Sequence, residues 1–362
     1  MGTASSPACQ STINLDALHF TADELRSLNE LVVTAVLEAP ALSLIHDMVT
    51  GIKNDKRIGI IPGTFGLIGK AAQSCNPTAQ CLEDIAIEKT WEPKYVEIII
   101  DICIDELTDT LMKLALNCGV EIYDLTNTEI FAFILNILEK DIPKMLLRKV
   151  WFDNQAAANV SAGGVITNGF DVGFFNVLNG FWQQLAVIYA ATAARMTVMP
   201  GNAQLTYALQ GTVATPLATF TAVNGMIDAA HPVLKSQPDK IIIVTESVNQ
   251  RLMRHLQALG IVYDIDYAMN GLQVTKWDGI TMYTLPLWDE TIRAYEDSGV
   301  RWNNPHRAVY TTKSNLKVGM ACTSLFDNIN SFYDQRSRIN RIEAVDAFDA
   351  KIIDDRLVQV LI

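Results

Sequence analysis

The chain has 362 residues, of which 49% are hydrophobic and 19% are charged, enough apolar material for a substantial core. This composition excludes a disordered chain, which needs low hydrophobicity and high net charge. The formal net charge of −12, from 28 Lys and Arg against 40 Asp and Glu, argues against a protein that grips nucleic acid through a broad basic face. The start, Met1 to Pro7, lacks the basic and apolar blocks of a secretion signal, and no apolar run reaches the ~18 residues of a spanning helix. We therefore expect a soluble protein made in a cytoplasm, without membrane contact.

The N-terminal region is predicted to be an arm followed by a short helix. Residues 1–20 are small and polar, as is typical of a terminus that does not join a core. From Thr21, an acidic turn leads into apolar residues spaced for one face of a helix, at Leu28, Leu31, Val32 and Val36.

The next segment is predicted to be a long extended arm of two strands. Arg57 to Ile61 is typical of a strand, and glycines at 63, 66 and 69 punctuate the residues that follow. From Val96 to Ile104 every even position is apolar, which indicates a strand with one buried face. Residues 53–94 therefore form a predicted hairpin, and because an isolated hairpin is marginally stable, we expect it to lie on another surface.

A long helix is predicted after this arm. Thr126 and Glu129 have the spacing of a capping box, in which each side chain satisfies a free N–H group at the start of a helix. If the helix continues to Val150 it is roughly 36 Å long, at 1.5 Å per residue. Pro143 interrupts the pattern, so we expect one long kinked helix, with two separate helices as the alternative.

The second half of the chain indicates a mixed α+β arrangement without βαβ regularity. Helices are predicted along Phe174, Leu178, Phe181, Leu185 and Ile188, and from Thr215-Pro216. Lys240–Thr245 indicates a buried strand. It precedes a helix with Val248, Leu252, Leu256 and Leu259 facing inward and Gly260 at its end. Asp278-Gly279 predicts a tight hairpin, and further short strands are predicted at 308–311, 316–321, 341–348 and 357–362.

The sequence carries no recognisable catalytic, cofactor-binding or metal-binding motif. The five histidines are scattered, and the six cysteines include no Cys-x-x-Cys pair. Cys75 and Cys81 are the one pair for which a bridge stays open as an alternative to free thiols. Gly164 and Gly169 have part of a phosphate-loop spacing but no following Lys-Ser/Thr, and Asp264 and Asp266 fit a solvated strand face. We therefore expect a protein that is not an enzyme and that needs no cofactor.

One short basic cluster is present, at Arg336, Arg338 and Arg341. It is interpreted as a solvated loop or as a contact between subunits, where an arginine fork pairs with a neighbour's carboxylate. A nucleic-acid role ranks third because no aromatic residues are interleaved with the arginines.

The order of these elements resembles the major capsid proteins of tailed bacteriophages, whose fold is called the Johnson fold. The resemblance covers nearly the whole chain and rests on segments in the family's order, namely Lys53–Ile61, Lys94–Cys103, Thr126–Val150, Lys240–Leu259, Pro305–Gly319 and Ala347–Ile353. It implies an α+β fold with an N-terminal arm and short helix (1–52), an E-loop hairpin (53–94), a P-domain strand and spine helix (95–151), an A-domain (152–312), a P-domain return (313–344) and C-terminal A-domain strands (345–362).

The resemblance also implies a function and a set of partners. A protein of this family assembles with itself into hexamers and pentamers of an icosahedral head that encloses double-stranded DNA without reading its sequence. Scaffold, portal and possible decoration proteins are its expected partners, and the virion capsid, assembled in the host bacterial cytoplasm, is its expected location. The family's Lys–Asn cross-link has no matching positions here. Candidate inter-subunit contacts are Lys70, Lys89, Trp91, Arg336, Arg338 and Arg341.

Three other interpretations stay open from the sequence. An encapsulin-like shell has the same fold but encloses cargo proteins in place of DNA. An α+β enzyme of unknown activity would need a catalytic group that the motifs do not supply. A tail or head-completion protein would form rings or tubes.

Overall fold

A computed structural model of the chain describes residues 42–53, 56–60, 87–103, 129–261, 266–267, 272–321, 329–337 and 339–362. The predicted N-terminal arm, the helix after Thr21, Thr126 of the capping box, and the pair Cys75 and Cys81 lie outside these residues, as do Lys70 and Arg338.

The helices and strands of the described residues interleave along the chain. The helices are α1 (Leu42–Ile45), α2 (Glu129–Phe152), α3 (Phe181–Ala191), α4 (Tyr207–Val213), α5 (Pro216–Ala229), α6 (Pro232–Lys235), α7 (Glu246–Ala258) and α8 (Pro286–Tyr295). The strands are β1 (Asp47–Thr50), β2 (Arg57–Ile60), β3 (Ile87–Thr90), β4 (Lys94–Cys103), β5 (Met196–Thr197), β6 (Lys240–Val244), β7 (Asp266–Tyr267), β8 (Gln273–Trp277), β9 (Ile280–Thr284), β10 (Ala308–Thr312), β11 (Leu316–Met320), β12 (Ile329–Asp334), β13 (Ile339–Ile352) and β14 (Val358–Leu361).

The first sheet is built around the long strand β13. Antiparallel β4 pairs with one edge of β13, from Ile339 opposite Cys103 to Phe348 opposite Lys94. The other edge is shared, because β12 pairs with the first half of β13 and β11 with the second half. Strand β1 adds to β11 in parallel, which gives five strands in all.

The second sheet has seven strands in the order β5-β14-β10-β6-β9-β8-β7, with parallel and antiparallel pairs mixed. Strand β6 lies near its middle, where Ile241 and Ile243 face one core and Ile242 and Val244 face another. Burial on both faces explains why this strand is a continuous apolar run rather than an alternating one. A separate two-stranded sheet consists of β2 and β3.

Residues 345–362, predicted as C-terminal A-domain strands, are divided between the two sheets. Strand β13 runs without a break to Ile352 and pairs there with β11 of the first sheet. Only β14 joins the second sheet, beside β10. The boundary between the two sheets therefore falls after Ile352. The alternation of apolar and polar residues gave no sign of this, because β13 is buried on both faces from Asp346 to Ala350.

The helix predicted from Thr126 to Val150 is confirmed as one continuous helix, α2, with Pro143 inside it. Its last two turns enter the main core through Leu147, Val150 and Trp151, each of which is fully buried. The rings of Trp182 and Trp288 lie against Trp151, at 5.6 and 4.5 Å between centroids. Helix α2 thus connects the inner face of the first sheet to the second sheet through one aromatic cluster.

Several local predictions are confirmed by their geometry. The Thr215 side chain caps α5 by accepting the N–H of Ala218, with Pro216 in the first turn. Asp278 and Gly279 both have positive φ, 49° and 73°, as the tight turn between β8 and β9 requires.

Two predictions are wrong in part. The helix marked from Phe174 begins only at Phe181, since residues 172–174 form a short 3-10 turn and Gly180 approaches the backbone of Trp151. Leu259 is exposed, because α7 ends at Ala258 and the chain turns at Gly260, where φ is 71°.

His46 gives the fold a predictable response to acid. It is fully buried after α1. Its Nδ1–H donates to the carbonyl of Leu42 at 2.9 Å, and its Nε2 accepts the indole N–H of Trp151 at 3.0 Å. This neutral ring cannot gain a proton without losing a hydrogen bond, and burial, as the main cause, lowers the pKa of His46 to about 3.

We predict that the contribution of His46 to the free energy of unfolding falls as the pH drops below about 6.5, because His46 of the unfolded chain then takes up a proton that the folded chain excludes. The loss due to His46 is about 1.4 kcal/mol per pH unit and continues towards pH 3. Denaturant unfolding of wild type and His46→Gln between pH 7 and 4.5 measures it as the difference between the two slopes. Burial raises the pKa of Asp153 to about 7, so Asp153 makes the free energy of unfolding rise as the pH falls. This contribution is present in both proteins and cancels in the difference between their slopes. Equal slopes would show that His46 titrates normally.

Candidate assembly surfaces

The base of the predicted hairpin is the small sheet of β2 and β3. Its register places Arg57 opposite Thr90 and Ile60 opposite Ile87. The N–H of Trp91 donates to the carbonyl of Lys56 at 3.0 Å, which continues the pairing by one step. Within the described residues, β2 and β3 pair only with each other. The strands therefore leave the first sheet as an antiparallel pair, as the sequence predicts for the two ends of a hairpin.

Trp91 anchors this base within its own chain. The indole is only 2% exposed and lies over Gly319 of β11, beside Ile52. A Cβ atom at Gly319 would come within 2.8 Å of both side chains, so glycine is needed there for close approach. Trp91 was a candidate inter-subunit contact. Its burial leaves almost no surface for a neighbour, so its position fits an anchor for the hairpin.

Lys89 ties the same base to the C-terminal region. Its ammonium group donates to the carbonyl of Ile352 at 2.8 Å and to the Asp355 carboxylate at 2.7 Å. The backbone N–H of Glu92 donates to Asp349 at 2.7 Å. These bonds hold the base formed by β2 and β3 against residues 349–355. Lys89 was also a candidate contact with a neighbour, and in the described residues its bonds are made within the chain.

The outer face of the first sheet presents apolar side chains to solvent. On β4 the odd residues Tyr95 and Ile99 are 79% and 49% exposed, whereas the even residues Val96 and Ile102 are buried, so the predicted period of two is confirmed. Val345 of β13 and Phe332 of β12 are also exposed, and cross-strand pairing places them on the same side. We call the surface formed by Tyr95, Ile99, Phe332 and Val345 the outer face.

Charged residues lie among the apolar ones on this face. Arg341 makes a bidentate ion pair with Asp101 on the adjacent strand, at 2.6 and 2.9 Å. Arg336 is exposed in the turn between β12 and β13. The predicted basic cluster is therefore split, since Arg341 is paired on the sheet and Arg336 lies at its tip.

Sequence reasoning predicted the alternation along β4, but it did not predict that Phe332 and Val345 join the same surface. That requires the pairing of β12, β13 and β4, which are far apart in the chain. For Trp91, a glycine within the apolar run of β11 was the available signal for close backbone approach.

Within the described ranges, no group of three or more His, Cys, Asp or Glu side chains is placed to hold a metal ion. No described helix combines the length and the hydropathy needed to cross a bilayer.

No family model and no curated protein sequence matches the chain. Solved structures do match. A chain from Mycobacterium phage Ogopogo superposes with a TM-score of 0.52 at 11% identity, over 94% of this chain and 98% of that one. The capsid of a native GTA particle superposes with a TM-score of 0.51 at 9% identity, over 92% of each chain. A chain from Gordonia phage Cozz superposes with a TM-score of 0.50 at 12% identity, over 91% of this chain and 87% of that one. At these identities the likeness establishes the fold, and the fold of this chain is the Johnson fold of tailed-phage major capsid proteins.

Proposed function

We propose that this protein is the major capsid subunit of a tailed bacteriophage, a structural protein that assembles with itself into hexamers and pentamers of an icosahedral head. The observation that carries the proposal is the pairing of β2 with β3 apart from both larger sheets, on a base fixed by Trp91 and Lys89. A hairpin that leaves its own subunit needs burial elsewhere, and a neighbouring copy offers it.

The partner surface for that hairpin is proposed to be the outer face of an adjoining copy. This face combines four exposed apolar side chains with ion-paired charges, which suits a contact that is buried only on assembly. Each copy would then give a hairpin to one neighbour and receive one from another. Such head-to-tail contacts close rings when the rotation fits.

The parts of the fold are assigned on this basis. Residues 1–52 are proposed as the N-terminal arm and 53–94 as the E-loop. The first sheet with α2 is proposed as the P-domain. This proposed P-domain includes β13 as far as Ile352. The second sheet with its helices is proposed as the A-domain, closed by β14.

Partners beyond the subunit itself follow from the proposed role. A head needs a scaffold to set its size, a portal for DNA entry and, in some phages, decoration proteins. DNA enclosed in this shell would meet an acidic protein with a net charge of −12, so we propose enclosure without sequence-specific binding. The proposed location is the virion capsid, after assembly in the cytoplasm of the host bacterium. No catalytic activity is proposed.

The experiment that tests this function is assembly of the purified chain, alone and with its scaffold protein supplied. We expect capsomers or closed shells in sedimentation velocity and in negative-stain electron micrographs. Shells that form in cells and contain DNA support a phage head, whereas shells that contain protein cargo would favour the encapsulin-like alternative. A subunit that stays monomeric under all these conditions would contradict the proposal, and rings or tubes would indicate a tail or head-completion protein.

A further inference from the structure

A pocket of about 330 Å³ lies beside helices α7 and α8, apart from the hairpin base and the outer face. Three arginines line it, Arg251 and Arg254 from α7 and Arg293 from α8. His306, from the segment that enters β10, completes one wall. The residues come from three separate parts of the chain, so the pocket is a product of the fold.

Within the described residues, the positive charges in this pocket are not neutralised by ion pairs. None of the three arginines lies within 4 Å of a carboxylate in the part of the chain that the structure describes. Arg251 donates to the carbonyl of Ser247 at 2.9 Å. Burial is the main cause that lowers the pKa of Arg251, and the charges of Arg254 and Arg293 lower it further, against the opposing effect of Asp289. The arginines therefore repel one another.

The two carboxylates that line the pocket, Asp289 and Glu246, accept hydrogen bonds from groups other than the three arginines. Asp289 accepts the backbone N–H groups of Glu246 and Ser247, at 2.6 and 3.3 Å, and so caps the start of α7. Glu246 accepts the side-chain amide of Gln250 at 2.7 Å. Three arginines against two carboxylates leave a net positive charge, in a chain whose overall charge is −12.

His306 holds the half-buried Arg251 in place without adding charge. Its Nε2–H donates to the carbonyl of Gln210 at 3.2 Å, so Nδ1 is left as the acceptor. That atom accepts the hydroxyl of Ser247 at 2.8 Å and an N–H of Arg251 at 3.2 Å. Burial is the main cause that lowers the pKa of His306 to about 4, so the ring is neutral near pH 7.

We propose that Arg251, Arg254 and Arg293 form a binding site for a phosphate group. Guanidinium groups pair with phosphate oxygens through two parallel hydrogen bonds, and a bound dianion would relieve the repulsion among the three cations. The pocket has the volume of a small-ligand site and is concave, so the phosphate of a small molecule fits it better than the backbone of a DNA duplex. This site is independent of the proposed shell function.

The test is isothermal titration calorimetry of the purified, unassembled subunit with inorganic phosphate, in a chloride buffer of constant ionic strength. We expect saturable binding of one phosphate per chain, with a Kd below about 1 mM. Arg251→Gln should weaken binding at least about tenfold, as expected for loss of a charge-assisted hydrogen bond. The double variant Arg254→Gln with Arg293→Gln should do the same, and because both side chains are exposed it keeps the test valid if Arg251→Gln fails to fold.

The matched control is Arg301→Gln, which removes one exposed arginine that does not line the pocket. We expect its phosphate affinity to stay within about twofold of wild type, since surface charges are largely screened in salt. The proposal is overturned if phosphate gives no saturable heat, or if the pocket variants bind it as tightly as the control. Binding of a short DNA duplex without binding of inorganic phosphate would also overturn it.

Discussion

Replacement of residues 61–86 by Asn-Gly is expected to leave a folded subunit that forms no shells. Ile60 and Ile87 face each other in the register of β2 and β3, so a two-residue turn can join them with the twist that a hairpin needs. The anchors Trp91 and Lys89 are kept. Because residues 61–86 are proposed to be buried on a neighbouring copy, their loss should abolish assembly and change the denaturant midpoint little. Sedimentation velocity and denaturant unfolding measure the two effects separately.

The design of this deletion follows from the structure. Removal of the whole stretch 56–92 would also take away Trp91, whose buried ring packs on Gly319, and loss of a large buried aromatic costs about 3 to 5 kcal/mol. A failure to assemble would then have two explanations. With 61–86 alone removed, unfolding of the subunit would mean that the segment belongs to its own core, and shells of normal size would mean that assembly does not need it.

Lysine at two positions of the outer face is expected to give the second large effect. Tyr95→Lys with Val345→Lys removes two apolar side chains that are 79% and 51% exposed in the single chain, so the free energy of unfolding should change by less than about 1 kcal/mol. If both side chains are buried by a neighbour's hairpin, their loss removes at least about 3 kcal/mol per contact. The concentration needed for assembly should then rise more than about a hundredfold, which light scattering against protein concentration measures.

A matched control distinguishes the effect of losing the outer face from the effect of adding two positive charges. Leu205→Lys with Leu259→Lys adds the same two lysines at apolar residues that are similarly exposed but lie outside the first sheet. Assembly of the control at the wild-type concentration, together with failure of the outer-face variant, is the expected pattern. Equal failure of both would mean that added positive charge disturbs assembly in general, and equal success would remove the outer face from the contact.

Sequence patterns predicted those elements in which each face keeps the same environment, solvent or core, along its whole length. Strand β4 alternates because one of its faces is solvent and the other is core, and β6 is uniformly apolar because both of its faces are buried. Helix α2 was predicted to continue through Pro143, and the chain is helical on both sides of that residue. In these places the local pattern and the tertiary environment agree.

The failures occurred where the environment depends on distant residues. Phe174 and Leu178 have helical spacing with Phe181, but Gly180 has to approach the backbone of Trp151, and the helix starts only after it. The packing of Trp91 on Gly319 could not be predicted from the sequence, because the two residues are more than 200 positions apart in the chain. The arginine pocket was missed for the same reason, since only Arg251 and Arg254 are near each other in sequence and Arg293 and His306 join them through the fold.

Electron cryomicroscopy of the assembled shells, at a resolution that traces the backbone of residues 61–86, measures the central contact directly. Our account predicts that this segment crosses the subunit boundary and covers Tyr95 and Val345 of an adjoining copy. A trace in which the segment returns into the interior of its own copy, with those two side chains left in solvent, would contradict it.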